Sequence, residues 1–253
     1  MISVIILGTG NLATHLIRAF NRAKSIELIQ VYGRKKPDNE LVSGTIGYTS
    51  DIKNLKDADV YILAISDDAI AEFSSELNLP GKLLVHTSGS IAMHALRSNA
   101  GKGVFYPVQT FSGEVDLNFK QVPVCIEAEH SEDMILLKTL AGAISDHVFV
   151  LDSQQRKKLH LAAVFINNFV NQLYKIGFDI CKANAIPVKI LYPLLKETAR
   201  KAVISDPSEV QTGPARRNDR KTIAGHIELL SGDEEKIYKL LTQSIRNTYG
   251  KKL

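Results

Sequence analysis

Ile2-Ser3-Val4-Ile5-Ile6-Leu7-Gly8-Thr9-Gly10-Asn11-Leu12-Ala13 opens the chain and decides its fold. A run rich in β-branched residues ends in Gly-x-Gly-x-x-Ala. The segment that follows, Thr14-His15-Leu16-Ile17-Arg18-Ala19-Phe20, has the period of an amphipathic helix. Buried strand, glycine turn and helix in this order form a cradle for a pyrophosphate. Gly8 permits the tight turn, Gly10 lets a phosphate approach the backbone, and Ala13 is small enough for close packing of helix on strand. Free N–H groups and a positive dipole end at the helix start favour an anion. Thr9, Asn11 and Leu12 complete the loop as expected cofactor contacts. A tight strand–helix turn without a ligand is the alternative.

The pattern repeats downstream. Ile26 to Tyr32 alternates as a second strand and ends at Gly33-Arg34-Lys35-Lys36. In a dinucleotide site an acid at this point would bind a ribose 2′-hydroxyl, but here the chain places cations. Arginine offers bidentate, charge-assisted contacts to a phosphate, so Gly33, Arg34 and Lys35 point to NADP rather than NAD. A solvated basic turn is the bland alternative. Val60 to Ile65 is a continuous apolar run, as in a parallel strand covered on both faces. Ala64, Ile65 and Ser66 at its end are expected to line the cofactor crevice, with Ser66-Asp67-Asp68 capping the next helix.

Two more strands deliver polar groups at their ends. Lys82 to Val85 leads into His86-Thr87-Ser88-Gly89, and Gly103 to Phe105 leads into Tyr106-Pro107-Val108-Gln109-Thr110-Phe111. An imidazole and hydroxyls can hydrogen-bond a carbonyl or carboxylate. His86 and Ser88 are therefore candidate catalytic residues, and Thr87, Tyr106 and Gln109 candidate substrate contacts. Strands at 123–127 and 147–151, around a helix with Met134, Leu137, Leu140 and Ala141, complete an α/β domain over residues 1–152.

From residue 153 to 253 the pattern is helical. Ser153 opens a helix of about thirty residues, long for a surface helix, and it is apolar on more than one face. It is expected to be the central helix of a bundle, shared with a second copy in a homodimer. His160, Asn167, Asn168 and Asn171 fall near one stripe, read as buried polar groups in need of partners. Pro187 starts a further helix. Asp219 caps another, and a last one begins near Asp233. The loop between, Thr212-Gly213-Pro214-Ala215-Arg216-Arg217-Asn218-Asp219, carries two arginines that could close over a substrate anion. Solubility is the alternative for that pair.

Bulk properties exclude several classes. Net charge is +4 over 253 residues and is spread out, which does not indicate nucleic acid. Two cysteines without a Cys-x-x-Cys spacing suggest neither a disulfide nor a metal site. No apolar run spans a membrane, and Met1 runs straight into a strand without a basic leader. A cytoplasmic protein without metal is expected.

The segments His86–Gly89, Tyr106–Phe111, His160–Asn168 and Thr212–Asp219 resemble a bacterial group of NADP oxidoreductases that joins a Rossmann-like domain to a helical domain of unknown function. The first domain is similar to the NADP-binding domains of pyrroline-5-carboxylate reductases and F420-dependent NADP oxidoreductases. The second resembles the 6-phosphogluconate-dehydrogenase-like C-terminal domain. In that wider superfamily the long helix carries a lysine with asparagines four and eight residues on; His160, Val164 and Asn168 take these positions here. An imidazole is an acid or base near neutral pH but not a fixed cation. The resemblance therefore implies His160 and Asn168 as catalytic candidates without transferring the lysine chemistry. Lys221-Thr222-Ile223-Ala224-Gly225 is similar to a pyrroline-5-carboxylate reductase segment, but its upstream context differs.

The expectation is a doubly wound Rossmann domain followed by an all-α domain, binding NADP and passing a hydride to or from a small, anionic keto acid, hydroxy acid or imine. His160 would exchange the proton, Asn168 orient the substrate, and Arg216 or Arg217 hold its charge. A nucleotide-binding sensor without turnover is the rival, and a deazaflavin co-substrate a third reading.

Overall fold

The computed structural model describes residues 1–37, 41–42, 46–112 and 117–249. The opening apolar run is strand β1 (Ile2–Leu7), followed by helix α1 (Asn11–Arg22) and β2 (Ile26–Tyr32). A short strand not foreseen from the sequence, β3 (Gly47–Thr49), lies at the sheet edge. Then come β4 (Val60–Leu63), α2 (Ile70–Ser75), β5 (Leu83–His86), β6 (Gly101–Pro107), β7 (Val124–Ala128), α3 (Ser131–Ile144) and β8 (Val148–Val150). The eight strands take the order β3-β2-β1-β4-β5-β6-β7-β8. Among the described residues only β6 and β7 pair antiparallel.

Alternation along β1 explains both layers. Val4 and Ile6 enter one core cluster with Leu16, Ile17 and Phe20 of α1 and Leu137 and Leu140 of α3. Ile5 and Leu7 enter the opposite cluster with Ile70, Leu77 and Leu96. Successive side chains of a strand point to opposite faces, so a strand covered twice reads as an unbroken apolar run. The expected doubly wound α/β architecture is present.

Helix α4 (Ser153–Ala163) begins with a capping box. Asp152 accepts from the Gln155 N–H at 2.8 Å, and Gln155 returns a bond to the Asp152 N–H at 3.1 Å. The long helix continues through a π-helical stretch, Val164–Phe169, into α5 (Val170–Ala183). Its full length matches the expectation, but the π turn does not. An i→i+5 turn shifts the phase of everything after it.

The chain forms two compact units, 1–166 and 167–253. Their division lies inside the π stretch, fourteen residues beyond the expected 152/153 boundary. Helix α4 belongs to the first unit, and its Arg156 bonds the β5 loop and Glu127 of β7. The second unit holds α5, α6 (Tyr192–Ile204), α7 (Pro207–Val210), α8 (Arg220–Glu228) and α9 (Gly232–Tyr249). Asp219 caps α8 through the Thr222 N–H at 3.1 Å, as expected. Among its described residues only Cys181, Ala215, Ile223 and Thr242 are buried. Among the described residues no helix is long and apolar enough to cross a membrane.

Candidate active site

In an open parallel sheet, polar groups useful to a ligand gather beyond the carboxyl ends of the strands. Here the ends of β2, β1, β4, β5 and β6 stand side by side. Gly8 follows β1 with φ of +138°, and a β-carbon there would lie 2.1 Å from the Ala64 carbonyl oxygen. The glycine turn and the β4 end thus touch, bringing Gly8, Thr9 and Gly10 beside Ala64, Ile65 and Ser66. A β-carbon at Gly10 would meet nothing within 4 Å, so the backbone faces open space. Gly10 caps α1 without a side-chain bond, and no acid sits in the first turn. The N–H groups at Asn11 and Leu12 are therefore placed for an anion. The Asn11 amide is engaged elsewhere, donating to the Phe111 carbonyl at 3.2 Å.

At the end of β2, the Gly33 N–H donates to the Thr49 carbonyl (3.1 Å), and its carbonyl accepts from Tyr48 Oη (2.7 Å). The unforeseen strand β3 thus anchors the turn that presents Arg34, Lys35 and Lys36 to solvent.

The β5 loop corrects two expectations. His86, expected among the catalytic residues, is fully buried, with 0% exposure. Its Nδ1 accepts from the Ser88 N–H at 3.2 Å. Burial, reinforced by the nearby positive charge of Arg156, pushes its pKa from 6.5 down to about 4. Ser88 is also buried, and its Oγ accepts from the N–H groups of Ser90 (3.1 Å) and Ile91 (3.0 Å). Both residues build the loop rather than present chemistry. Thr87 is buried too, its hydroxyl donating to the Leu63 carbonyl at 3.0 Å. Asp67, read as a helix cap, instead accepts from Ser90 Oγ at 2.5 Å.

Two expected residues do meet. Tyr106 Oη lies 3.2 Å from His160 Nδ1. Gly89 permits this: a β-carbon there would be 2.7 Å from both His160 Nδ1 and Tyr106 Cζ. Burial, with the Cys125 thiol opposite adding to it, raises the Tyr106 pKa, and Arg156 opposes the rise. Gln109 is exposed beyond β6, its Oε1 accepting from the Thr110 N–H at 2.8 Å.

The expected buried stripe is not formed, since Asn167, Asn168 and Asn171 are exposed. Asn168 lies within the π stretch, in the second unit, whereas His160 belongs to the first. Arg216 is committed within its own loop. It donates to the Gln211 carbonyl at 2.7 Å and lies 5.1 Å over the Tyr249 ring. Arg217 is exposed. Sequence reasoning missed Arg156 altogether; a charged residue one helical turn before His160 was its only signal. Cys125 and Cys181 are buried and unpaired. Among the described residues no cluster of metal-ligating side chains forms.

A family model described as a domain of unknown function, DUF2520, matches residues 122–245. The crystal structure of a candidate NADP oxidoreductase from Bacteroides fragilis is 39% identical, with a TM-score of 0.87, over 97% of this chain and 98% of that one. The chain belongs to the Rossmann-plus-DUF2520 family. The matched segment starts just ahead of β7, so in this chain it takes in the last two strands of the sheet as well as the helices. A Thermotoga maritima protein shares the fold at 20% identity, with a TM-score of 0.78, over 98% of this chain and 99% of that one. Plasmodium falciparum pyrroline carboxylate reductase, solved with NADP bound, shares it at 14% identity and a TM-score of 0.64, over 99% and 96% of the two chains. No match was found among curated protein sequences.

Proposed function

We propose that this Rossmann-plus-DUF2520 protein is an NADP-dependent oxidoreductase acting on a small keto acid, hydroxy acid or imine. The observation that carries the reading is a joint one. A glycine turn open to a phosphate at Gly10 and an ionisable Tyr106–His160 pair share one edge of one sheet. The kinship with the candidate NADP oxidoreductase of Bacteroides fragilis supports it.

The residues present fit the dinucleotide. The uncapped amides of α1 and the bare backbone at Gly10 suit its pyrophosphate, Arg34 and Lys35 a 2′-phosphate, and Ala64 to Ser66 the adjoining wall. The bound cofactor supplies or takes the hydride. The chain's own task is the proton. In its protonated state His160 donates from Nδ1 to Tyr106 Oη and keeps the Nε2 proton for the substrate heteroatom. Once Nε2 has given up that proton, Tyr106 still holds the ring through Nδ1. Arg217, not Arg216, is the cation of its loop left for an anionic group.

A homodimer through the helical unit belongs to this reading. That unit buries almost no core of its own while exposing Leu173, Ile180, Ile190, Leu194, Val203 and Leu240. Apolar surface on this scale marks an interface.

The test is fluorescence titration of the full chain with NADPH and NADH, followed by NADPH oxidation with a panel of keto acids and imines. NADPH should bind at least tenfold tighter than NADH, and the Arg34→Ala/Lys35→Ala double variant should lose that preference, since charge-assisted contacts contribute about 1.5–3 kcal/mol each. Equal affinity for both nucleotides would remove the 2′-phosphate assignment. Tight NADPH binding without oxidation across the panel would leave a nucleotide-binding protein in place of an enzyme.

A further inference from the structure

Arg156 lies one helical turn ahead of His160 on α4, and its side chain is 1% exposed. Its nitrogens reach three segments. Nε donates to the Ser88 carbonyl at 3.1 Å, and Nη2 to the Ile91 carbonyl at 2.5 Å and Ser153 Oγ at 3.2 Å. Nη1 donates to the carboxylate of Glu127 on β7. That carboxylate also accepts from the Ser153 N–H at 3.0 Å and its hydroxyl at 2.8 and 2.9 Å. Ser153 Oγ in turn accepts from the Met93 N–H at 3.0 Å.

We propose that Arg156 is a positioning residue: its guanidinium grips the β5 loop on both sides of Gly89 and fixes it against the helix face that carries His160. The carbonyls it holds belong to Ser88 and Ile91, which bracket Gly89. Gly89 is the residue against which both Tyr106 and His160 pack. Residues four apart on a helix share a face, so one turn of α4 both clamps the loop and presents the imidazole to it. A buried ion pair contributes little stability over a well-packed apolar pair, because desolvation cancels much of its attraction. What the planar fork supplies is direction: its donors leave in a fixed pattern that lysine cannot reproduce. The positive charge also acts on Tyr106, opposing the upward push of burial on the phenol. The inference rests on the reading of Tyr106 and His160 as the reacting pair.

The test uses the full chain labelled with ¹⁵N-histidine, read by side-chain NMR alongside circular dichroism and NADPH titration. Tyr106→Phe removes the hydroxyl and defines the resonance of an unpartnered His160 Nδ1. Arg156→Lys keeps the charge but loses the fork; Arg156→Met keeps the bulk but loses the charge. We expect Arg156→Lys to fold, to bind NADPH within about twofold of wild type, and to move the His160 Nδ1 resonance most of the way to its Tyr106→Phe position. Arg156→Met should move it as far, and if that variant does not fold the lysine variant decides. A folded Arg156→Lys protein with the wild-type His160 resonance overturns the positioning role, even if its melting temperature falls. If Tyr106→Phe itself leaves the resonance unmoved, the pair is not hydrogen-bonded and the role of Arg156 falls with it.

Discussion

The Cα of Gly8 stands so close to Ala64 that a β-carbon at position 8 would come within 2.1 Å of the Ala64 carbonyl oxygen. Two residues later, at Gly10, the same addition would meet nothing within 4 Å. The glycines of one motif therefore have different tasks. Gly8→Ala combines a steric overlap with a φ of +138°, and should cost about 3 kcal/mol or more in urea unfolding. Gly10→Ala, at an N-cap with φ of −78°, should cost about 0.5–1 kcal/mol. It should nevertheless weaken NADPH binding at least tenfold, because its methyl group occupies the space meant for the phosphate. Comparable stability losses in the two variants would contradict this division.

His86 gives the fold a pH dependence. Its pKa drops from 6.5 to about 4 on folding, chiefly through burial. A histidine held neutral in the native state binds fewer protons there than in the unfolded chain between these values. Stability is complete above about pH 6.5 and falls as the pH drops toward 4, by about 3 kcal/mol in total. His86→Asn, whose Oδ1 can still accept from the Ser88 N–H, should unfold with a flatter dependence across that window. Parallel curves for wild type and variant would show that His86 is not the group responsible.

Much of the sheet domain was legible because its signals are local. Ile26 to Tyr32 is a strand with those same bounds, since a buried strand shows itself as an apolar run between turn residues. Asp219 was readable as a helix start because a cap acts within three residues. What stayed hidden depends on distance. β3, three residues long, carries no periodicity. The roles of His86 and Ser88 changed because burial comes from the packing of other segments. The stripe from His160 to Asn171 assumed 3.6 residues per turn, which the π stretch at 164–169 breaks. Arg156 looked like any polar residue near a helix start, until Glu127 and the carbonyls of Ser88 and Ile91 closed around it.

The helical unit leads to a prediction about assembly. Ile190, in the 3₁₀ turn just ahead of α6, and Leu194, in the first turn of α6, are 63% and 61% exposed. In sedimentation equilibrium the wild-type chain should be a dimer at micromolar concentration. Ile190→Asp/Leu194→Asp should shift it toward monomer at least a hundredfold and lower its melting temperature, because the second unit has almost no buried core. A wild-type chain that sediments as a monomer at these concentrations would sink the proposal.

Gly89 allows the reacting pair to be tested without removing either partner. A methyl group at this position would lie 2.7 Å from both His160 Nδ1 and Tyr106 Cζ, so the two rings must separate to admit it. The hydrogen bond between them, already 3.2 Å long, would not survive such a shift. Once the substrate panel has yielded a reducible compound, Gly89→Ala should reduce kcat by about 10²–10⁴-fold, the range for loss of general acid catalysis. His160→Ala should fall in the same range and Tyr106→Phe toward its lower end, with the NADPH dissociation constant nearly unchanged in all three. The double variant Gly89→Ala/His160→Ala should be no slower than His160→Ala alone, because both changes disable the same proton transfer. If the two losses instead multiply, Gly89 acts on the reaction by a route that does not pass through His160.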